Sequence, residues 1–545
     1  MTVAGVDLLS SQNLLFSSIA IAIALVFAWR FFFTRKKNKQ PGGLTHYPIL
    51  GCLPSLIKNR HRFHEWMADV LAASPSNTCL CRRPGGIRGY ITSNPKILEY
   101  MLRANFENYE KGERSRSILH DFMGNGIFNA NGEVWKMQRK VASYEFNTKS
   151  LRNFVVETVQ SEILHRLMPL LSNACSEGVS INLQDVLQRF AFDNICSVAF
   201  GFDPGYLDTS MPEIPFARAF DDATELSFRR FLYSVPFLWR IKRMLNLGSE
   251  RRLGEAIRVV DGFVTSIIHS RRTQITESQG EGSNLLRNDL LSRFMATVID
   301  WNQMDTDSDK LIVSKGTASM TDKSDVFLRH MIVNFMLAGR DTTSTSLTWF
   351  FWVLSSHPTV EAAIHREIME VKAKRGNRAE ASEISDENKG ITFTYEELKE
   401  MQYLHAALCE SLRLYPSVPL DSKVALQDDV LPDGSVVKKG WIVDYSIYAM
   451  GRMESIWGGD CKEFKPERWF RNGEFVGENP YKFAAFNAGP RICLGKEMAF
   501  IQMKSIVASI IHNFSLNVDS DFVPSYILDF IMRMKGGMPV TVRAR

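Results

Sequence analysis

The stretch from about Ser324 to His357 constrains this chain more than any other. Between Met331 and Ser356 its only charged residues are the neighbours Arg340 and Asp341, and Pro358 ends it. That pattern predicts a helix of roughly 50 Å, apolar nearly all round, which belongs in a core or a membrane. A membrane fails on the middle, Ala338-Gly339-Arg340-Asp341-Thr342-Thr343-Ser344-Thr345-Ser346, which is too polar. The expectation is a central core helix with a polar notch halfway along. Burying such a notch is costly, so it needs a reason.

Around this helix, most long segments from Leu53 onward carry helical periodicity. Strand candidates are few: Tyr90-Ile91-Thr92, Val436-Val437 and Val540-Thr541-Val542. The expected class is therefore mainly α with small β-sheets (α+β). With 545 residues, 45% of them hydrophobic, there is ample material for one large core, and no mid-chain linker stands out. Residues 52–545 are read as a single body, with polar surface insertions at Thr273–Asn284, Asp305–Lys323 and Ala373–Lys389.

Ahead of the body, Leu14 to Phe33 is apolar except for Ser17, Ser18 and Arg30. It is about the ~20 residues that a bilayer core requires. The basic run Thr34-Arg35-Lys36-Lys37-Asn38-Lys39 follows, and should stay cytosolic. Residues 1–33 are thus read as a membrane anchor. Residues 34–51, with Pro41-Gly42-Gly43 and Pro48, are read as a basic, stiff connector.

Charge excludes little beyond nucleic acid: 65 basic against 60 acidic residues, and no basic tract with interleaved aromatics. The eight cysteines are scattered without C-x-x-C, as expected of reduced cytosolic thiols. No H-E-x-x-H occurs, and His61 with His64 reads as an ordinary surface pair, so zinc or non-haem iron has little support.

The chemistry concentrates at Phe486-Asn487-Ala488-Gly489-Pro490-Arg491-Ile492-Cys493-Leu494-Gly495. A thiolate that holds haem iron needs donors near its sulfur and protection from oxidation. Gly489 permits a tight turn, Pro490 stiffens it, and Arg491 offers a charge to a haem propionate. A helix beginning past Cys493 would aim its amide dipoles at the sulfur. Gly495 removes bulk where that helix approaches the haem, and Phe486 shields the sulfur. The bland alternative, an inert cysteine beside a turn, has no use for these neighbours at these offsets.

The loop resembles the haem-binding signature F-x-x-G-x-R-x-C-x-G of the cytochromes P-450, with each fixed position met. The resemblance implies that family's fold behind one transmembrane helix, haem b as cofactor and Cys493 as the axial ligand. It implies that the notch is the oxygen-activation motif. Ala338 and Gly339 then leave room for oxygen, Thr342 bonds back to the Ala338 carbonyl, and Asp341 with Thr342 relays protons. Trp135 and Arg139 match W-x-x-x-R and share a helix face, from which both can reach one propionate. Lys423 stands where many members carry Arg, and would serve a propionate as a point charge. Glu410-Ser411-Leu412-Arg413 matches E-x-x-R, with Arg468 as third member of a network that fixes the fold. Trp469 replaces the family's usual Phe.

Further runs resemble the plant fatty-acid omega-hydroxylase branch. These are Asn105 to Tyr109, Lys111 to Arg114, Gly126 to Asn129, Glu145 to Phe154, Arg189 to Cys196 and Pro419 to Lys423. The branch implies hydroxylation of the end carbon of medium or long fatty acids, or, alternatively, omega-oxidation of jasmonoyl–amino acid conjugates. End-on attack requires a narrow channel, for which Phe122, Phe128, Phe335, Met336, Leu420 and the Met534–Met538 turn are candidates. Arg114 or Arg116 is the candidate for the carboxylate. No flavin or dinucleotide signature occurs, so electrons come from outside. The family's donor is NADPH–cytochrome P-450 reductase, with Lys140, Lys482 and Lys496 as docking candidates. The expected location is the endoplasmic reticulum membrane, single-pass, with the body in the cytosol. Two rivals, a haem-thiolate hydroperoxide isomerase or dehydratase and a non-enzymatic haem or lipid carrier, need no proton relay.

Overall fold

The computed structural model describes residues 38–39, 43–146, 149–208, 210–211, 213–233, 237–278, 289–303, 320–379 and 392–545. The anchor expected at Leu14–Phe33 lies outside the described residues, and no described helix is long and apolar enough to cross a membrane.

The central helix is α-helical over Met320–Met336 and again over Thr342–Ser355, joined without a break by a π-helical turn, Leu337–Asp341. Widening the turn interrupts the regular ladder at the notch. Four hydroxyls there are satisfied inside the helix: Thr342, Ser344, Ser346 and Thr348 donate to carbonyls four residues back, at 2.5–2.8 Å. This back-bonding is how so polar a stretch can be buried.

Helix Leu183–Phe200 packs against the notch. It starts where the Asn182 side chain accepts the Asp185 amide and ends at Gly201, in the left-handed region at φ 60°. It is buried along nearly all its length. Ile195 from this helix fills the space beside Gly339, where a Cβ would lie 2.5 Å from Ile195 Cγ1. Gly339 is therefore small enough to let two helices meet.

A five-stranded sheet runs Thr78–Arg82, Arg88–Thr92, Ile442–Ser446, Leu420–Ala425, Tyr109–Glu110 across its width. All neighbours are antiparallel except Arg88–Thr92 beside Ile442–Ser446. Alternation puts Leu420, Ser422 and Val424 on one face and Asp421 and Lys423 on the other. A three-stranded sheet joins Phe514–Val518, Pro539–Ala544 and Ser180–Asn182. The rest is mostly helical, with small sheets.

Two expected insertions are partly helix: Thr273 continues Ser249–Ser278, and Ala373 continues Pro358–Ala379. Most of the third lies outside the described residues, and its last residues already belong to Met320–Met336. His64 is not a surface residue. It is buried between Tyr448 and Tyr526, with ring centroids at 5.5 and 5.1 Å, and burial pushes its imidazole down to about 3.

Candidate active site

The Cys493 loop turns through two left-handed residues, Asn487 and Gly489, at φ 59° and 67°. Gly489 is obligatory, since a Cβ there would overlap the Leu102 carbonyl oxygen. The Cys493 amide donates to the Phe486 carbonyl at 2.8 Å and closes the loop. Helix Lys496–Asn513 begins at once, with Gly495 as its N-cap. The sulfur is accessible, yet packed protein around it pushes the thiol pKa up, against the Gly495 amide, Arg139 and Lys496. At Gly495 a Cβ would meet only the Phe146 ring, at 3.8 Å, so protein packing does not require glycine. The Phe486 ring leans on Phe500, 5.2 Å away, with Lys496 Nζ 5.7 Å over its face.

Beside the loop lies an excess of buried positive charge. Helix Gly132–Phe146 supplies Trp135 and Arg139. The Arg491 guanidinium stacks 4.3 Å over the Trp135 ring and donates to the Ala130 carbonyl and to Asn131 Oδ1. Its Nε is buried without a partner, and burial lowers its pKa to about 10. Arg139 makes no ion pair among the described residues, and burial lowers its pKa too. Lys423 is fully buried, with Nζ 3.1 Å from Asp421 Oδ2, and burial brings it down to about 7.

Asp421 organises this region, although sequence reasoning passed over it. It accepts from Lys111 at 2.5 Å and from the Tyr445 hydroxyl at 2.7 Å, and that hydroxyl also reaches Asn487 of the Cys493 loop. Against its burial, Lys111 and Lys423 hold its carboxyl far below the usual range. Lys423 is therefore matched by a carboxylate and is not a free point charge. The signal was available: Asp421 and Lys423, two apart on a strand, share a face. Two carboxylates, Asp421 and Glu110, against Lys111, Lys423, Arg139 and Arg491 leave room for a dianion, and the two propionates of haem have that charge. The residues fit the group.

At the notch, Thr342 Oγ1 donates to the Ala338 carbonyl at 2.5 Å. Ser417 Oγ donates to the Thr342 carbonyl at 2.7 Å, and lies 2.6 Å from Ser346 Oγ. Asp341 is buried, and its Oδ1, though 3.2 Å from Arg340 Nη1, makes no aligned hydrogen bond. Burial raises its pKa, opposed by Arg340 and Arg533. Such a carboxyl can hold a proton and pass it on. Arg340 also binds Asp221 at 2.7 Å, and Arg533 binds Asp221 at 2.8 Å and Asp529 at 3.3 Å. This ion cluster ties the central helix to helix Pro215–Leu232 and to the C-terminal turn. Asp221, Asp529 and Arg533 carry no local motif and were not read from the sequence.

A second buried cluster lies at Glu410. Arg413 grips it through Nε and Nη2 at 2.8 and 2.7 Å and donates to the carbonyls of Gly451, Cys461 and Glu463. Arg468 adds a bond at 3.0 Å, and Trp469 Nε1 another at 3.0 Å. Trp469 is thus a donor that Phe could not replace.

Residues 41–539 match the family model "Cytochrome P450". The chain is a cytochrome P-450. It is 44% identical to "Cytochrome P450 94A2" of Vicia sativa, over 95% of this chain and 96% of that one. It is also 44% identical to "Cytochrome P450 94A1" of Vicia sativa, covering 92% and 90%. "Cytochrome P450 94B1" of Arabidopsis thaliana is 40% identical, with 96% of each chain covered. As a cytochrome P-450 the chain is a monooxygenase whose cofactor is haem, its iron held by an axial cysteine thiolate. Bound haem supplies the iron at which dioxygen is activated. Cys493, the cysteine of the motif, is the residue placed to ligate it.

The channel candidates separate. Phe122, Met336 and Met538 have no accessible surface, and Phe335 and Met534 are also buried, Phe335 stacking on Phe146 at 6.0 Å. These pack the core of this cytochrome P-450. Phe128, 43% exposed, and Leu420, half-buried, are left to meet a ligand. Arg116 is tied to the Asn129 carbonyl and to Glu113. Of the docking candidates, Lys140 and Lys496 are exposed, whereas Lys482 is held by Glu478 and lies over the Trp457 ring.

Proposed function

We propose that this cytochrome P-450 hydroxylates the terminal carbon of medium- and long-chain fatty acids. One atom of dioxygen enters a C–H bond to give an alcohol, and the other leaves as water. NADPH supplies two electrons through a membrane-bound cytochrome P-450 reductase. The protein works from the endoplasmic reticulum membrane, anchored by Leu14–Phe33, with its body in the cytosol. The observation that carries the substrate reading is the likeness to the fatty-acid branch in the Asn105–Tyr109 and Pro419–Lys423 runs, alongside the relatives of the 94 group. Asp341 supports it as a carboxyl in the core whose burial favours the protonated form. Thr342 supports it by keeping a hydroxyl at the loosened turn. The accessible Lys140 and Lys496, the latter beside Cys493, suit an acidic electron donor.

The test uses the full chain in microsomes with the reductase, given laurate, oleate or jasmonoyl-isoleucine. The expected result is NADPH- and oxygen-dependent formation of the terminal alcohol of laurate or oleate, read by mass spectrometry. Product from jasmonoyl-isoleucine alone would move the substrate to the conjugates. Conversion of lipid hydroperoxides without NADPH would overturn the reading.

A further inference from the structure

The turn after Thr78–Arg82 brings Arg83 to a carboxylate whose charge also acts on Arg114, in the first turn of helix Glu113–Met123. Arg83 Nη2 lies 3.4 Å from Asp444 Oδ2, and Asp444 also offsets the charge of Arg114. Asp444 is itself buried, which raises its pKa, and it already accepts from Arg83 and from the Ser422 hydroxyl. Of the other acids nearby among the described residues, Glu113 is taken by Arg116 and Asp421 by Lys111 and Lys423. Among the described residues Arg114 has a single long hydrogen bond, 3.4 Å from Nη2 to the Phe231 carbonyl. The Nε atoms of both arginines are buried without a partner among the described residues. One positive charge is thus left over on these half-buried side chains, and burial followed by Arg83 lowers Arg114 to about 10. A partly desolvated cation without a matching anion favours a ligand that brings one.

The surroundings say what else that ligand carries. Gly112 fixes the start of helix Glu113–Met123 against strand Leu420–Ala425, since a Cβ there would overlap Val424 Cγ2. No side chain caps this helix. Leu420, Ser422 and Val424 share one strand face, so Ser422, with Asp444 opposite in register, lies about 7 Å from Leu420 along the strand. Leu420 belongs to the half-buried apolar surface left to meet a ligand. The half-buried Leu420 side chain therefore lies on the same strand face as the carboxylate that faces the arginines.

We propose that Arg83 and Arg114 together seat the carboxylate of the substrate, in a site that excludes Arg116 and that rests on the fatty-acid reading above. Asp444 and Ser422 orient the Arg83 guanidinium, and Arg114 supplies the uncompensated charge. A planar guanidinium can take a carboxylate through two N–H groups at once, which fixes the head of the chain while its tail extends past Leu420.

The experiment titrates haem-loaded full chain with laurate and with methyl laurate, following the spin-state change in haem absorption. Wild type, Arg83→Gln, Arg114→Gln and Arg116→Gln are compared, with haem content and the carbon monoxide spectrum recorded for each. Wild type is expected to bind laurate at least about tenfold tighter than its ester, a difference on the scale of a charge-assisted hydrogen bond. Arg83→Gln and Arg114→Gln should each abolish that difference and leave the ester's affinity within about twofold, while Arg116→Gln behaves as wild type. Equal affinities in wild type overturn the site. So does parallel weakening of acid and ester, or loss of haem from Arg114→Gln, which would assign that arginine to the cofactor. If wild type answers to jasmonoyl-isoleucine alone, with the same dependence on both arginines, the site stands and the fatty-acid reading falls. If no carboxylate ligand is bound, both fall.

Discussion

Glu410→Gln separates a residue that holds the fold from one that serves the reaction. Glu410 is fully buried and accepts two bonds from Arg413 and one each from Arg468, Trp469 Nε1 and the Lys465 amide, all at 2.7–3.0 Å. Glutamine keeps the volume, but it removes the charge and turns an NH2 group towards donors. Arg468 keeps Asp460 at 2.9 Å, whereas Arg413 keeps backbone carbonyls and no carboxylate. Breaking a buried pair in this way costs about 3–5 kcal/mol. That is a large share of the ~5–15 kcal/mol that separates folded from unfolded chains. Trp469→Phe removes one neutral donor from a carboxylate that keeps the rest, and should cost about 1–2 kcal/mol. The assay is the thermal midpoint of haem-loaded protein at a fixed scan rate, with turnover expressed per bound haem. Glu410→Gln should melt well below wild type and Trp469→Phe slightly below, both with per-haem turnover within about twofold of wild type. Full stability in Glu410→Gln would refute the energetic argument. A drop of about a hundredfold in per-haem turnover without loss of stability would refute the structural role.

Asp341→Asn keeps the shape of a buried side chain and removes its proton, so product formation should fall about a hundredfold or more with the carbon monoxide spectrum intact. An unchanged rate would take Asp341 out of the relay. Gly339→Ala drives a methyl into Ile195 and should destabilise the chain by about 1–3 kcal/mol, seen as a lower thermal midpoint. Lys504 is buried, donates to the Leu398 carbonyl, and is lowered by burial to about 8 from 10.5. Between those values the unfolded chain binds more protons than the folded one, so stability should rise as pH rises from about 8 to 10.5. Lys504→Met should flatten that part of the profile, and a profile identical to wild type would contradict it.

The central helix was legible because its information is local. A run of apolar residues closed by Pro358 specifies a buried helix, and the interrupted charge pattern marks the notch. Its back-bonding hydroxyls follow from the same spacing. The Cys493 loop was legible for a similar reason, since Gly489, Arg491 and Gly495 stand at offsets that one tight turn uses. The role of Gly339 was not legible, because Ile195 is a neighbour through packing and not through sequence. Nor could periodicity tell which of Phe122, Met336 and Leu420 keeps some surface, since all three are apolar and only neighbouring helices decide what is covered.

By itself, the order of residues determined the helical class, the cysteine loop and the partners within one turn, such as Glu410 with Arg413 and Thr342 with the Ala338 carbonyl. These depend on spacing along the backbone, which secondary structure converts directly into distance. Tertiary structure alone decided that Asp421 answers Lys111, that Arg340 and Arg533 share Asp221, and that Arg83 and Arg114 meet at Asp444. Those charges lie far apart in the chain, and only sheet register and helix packing fix which of them become neighbours and which are left without a counter-ion.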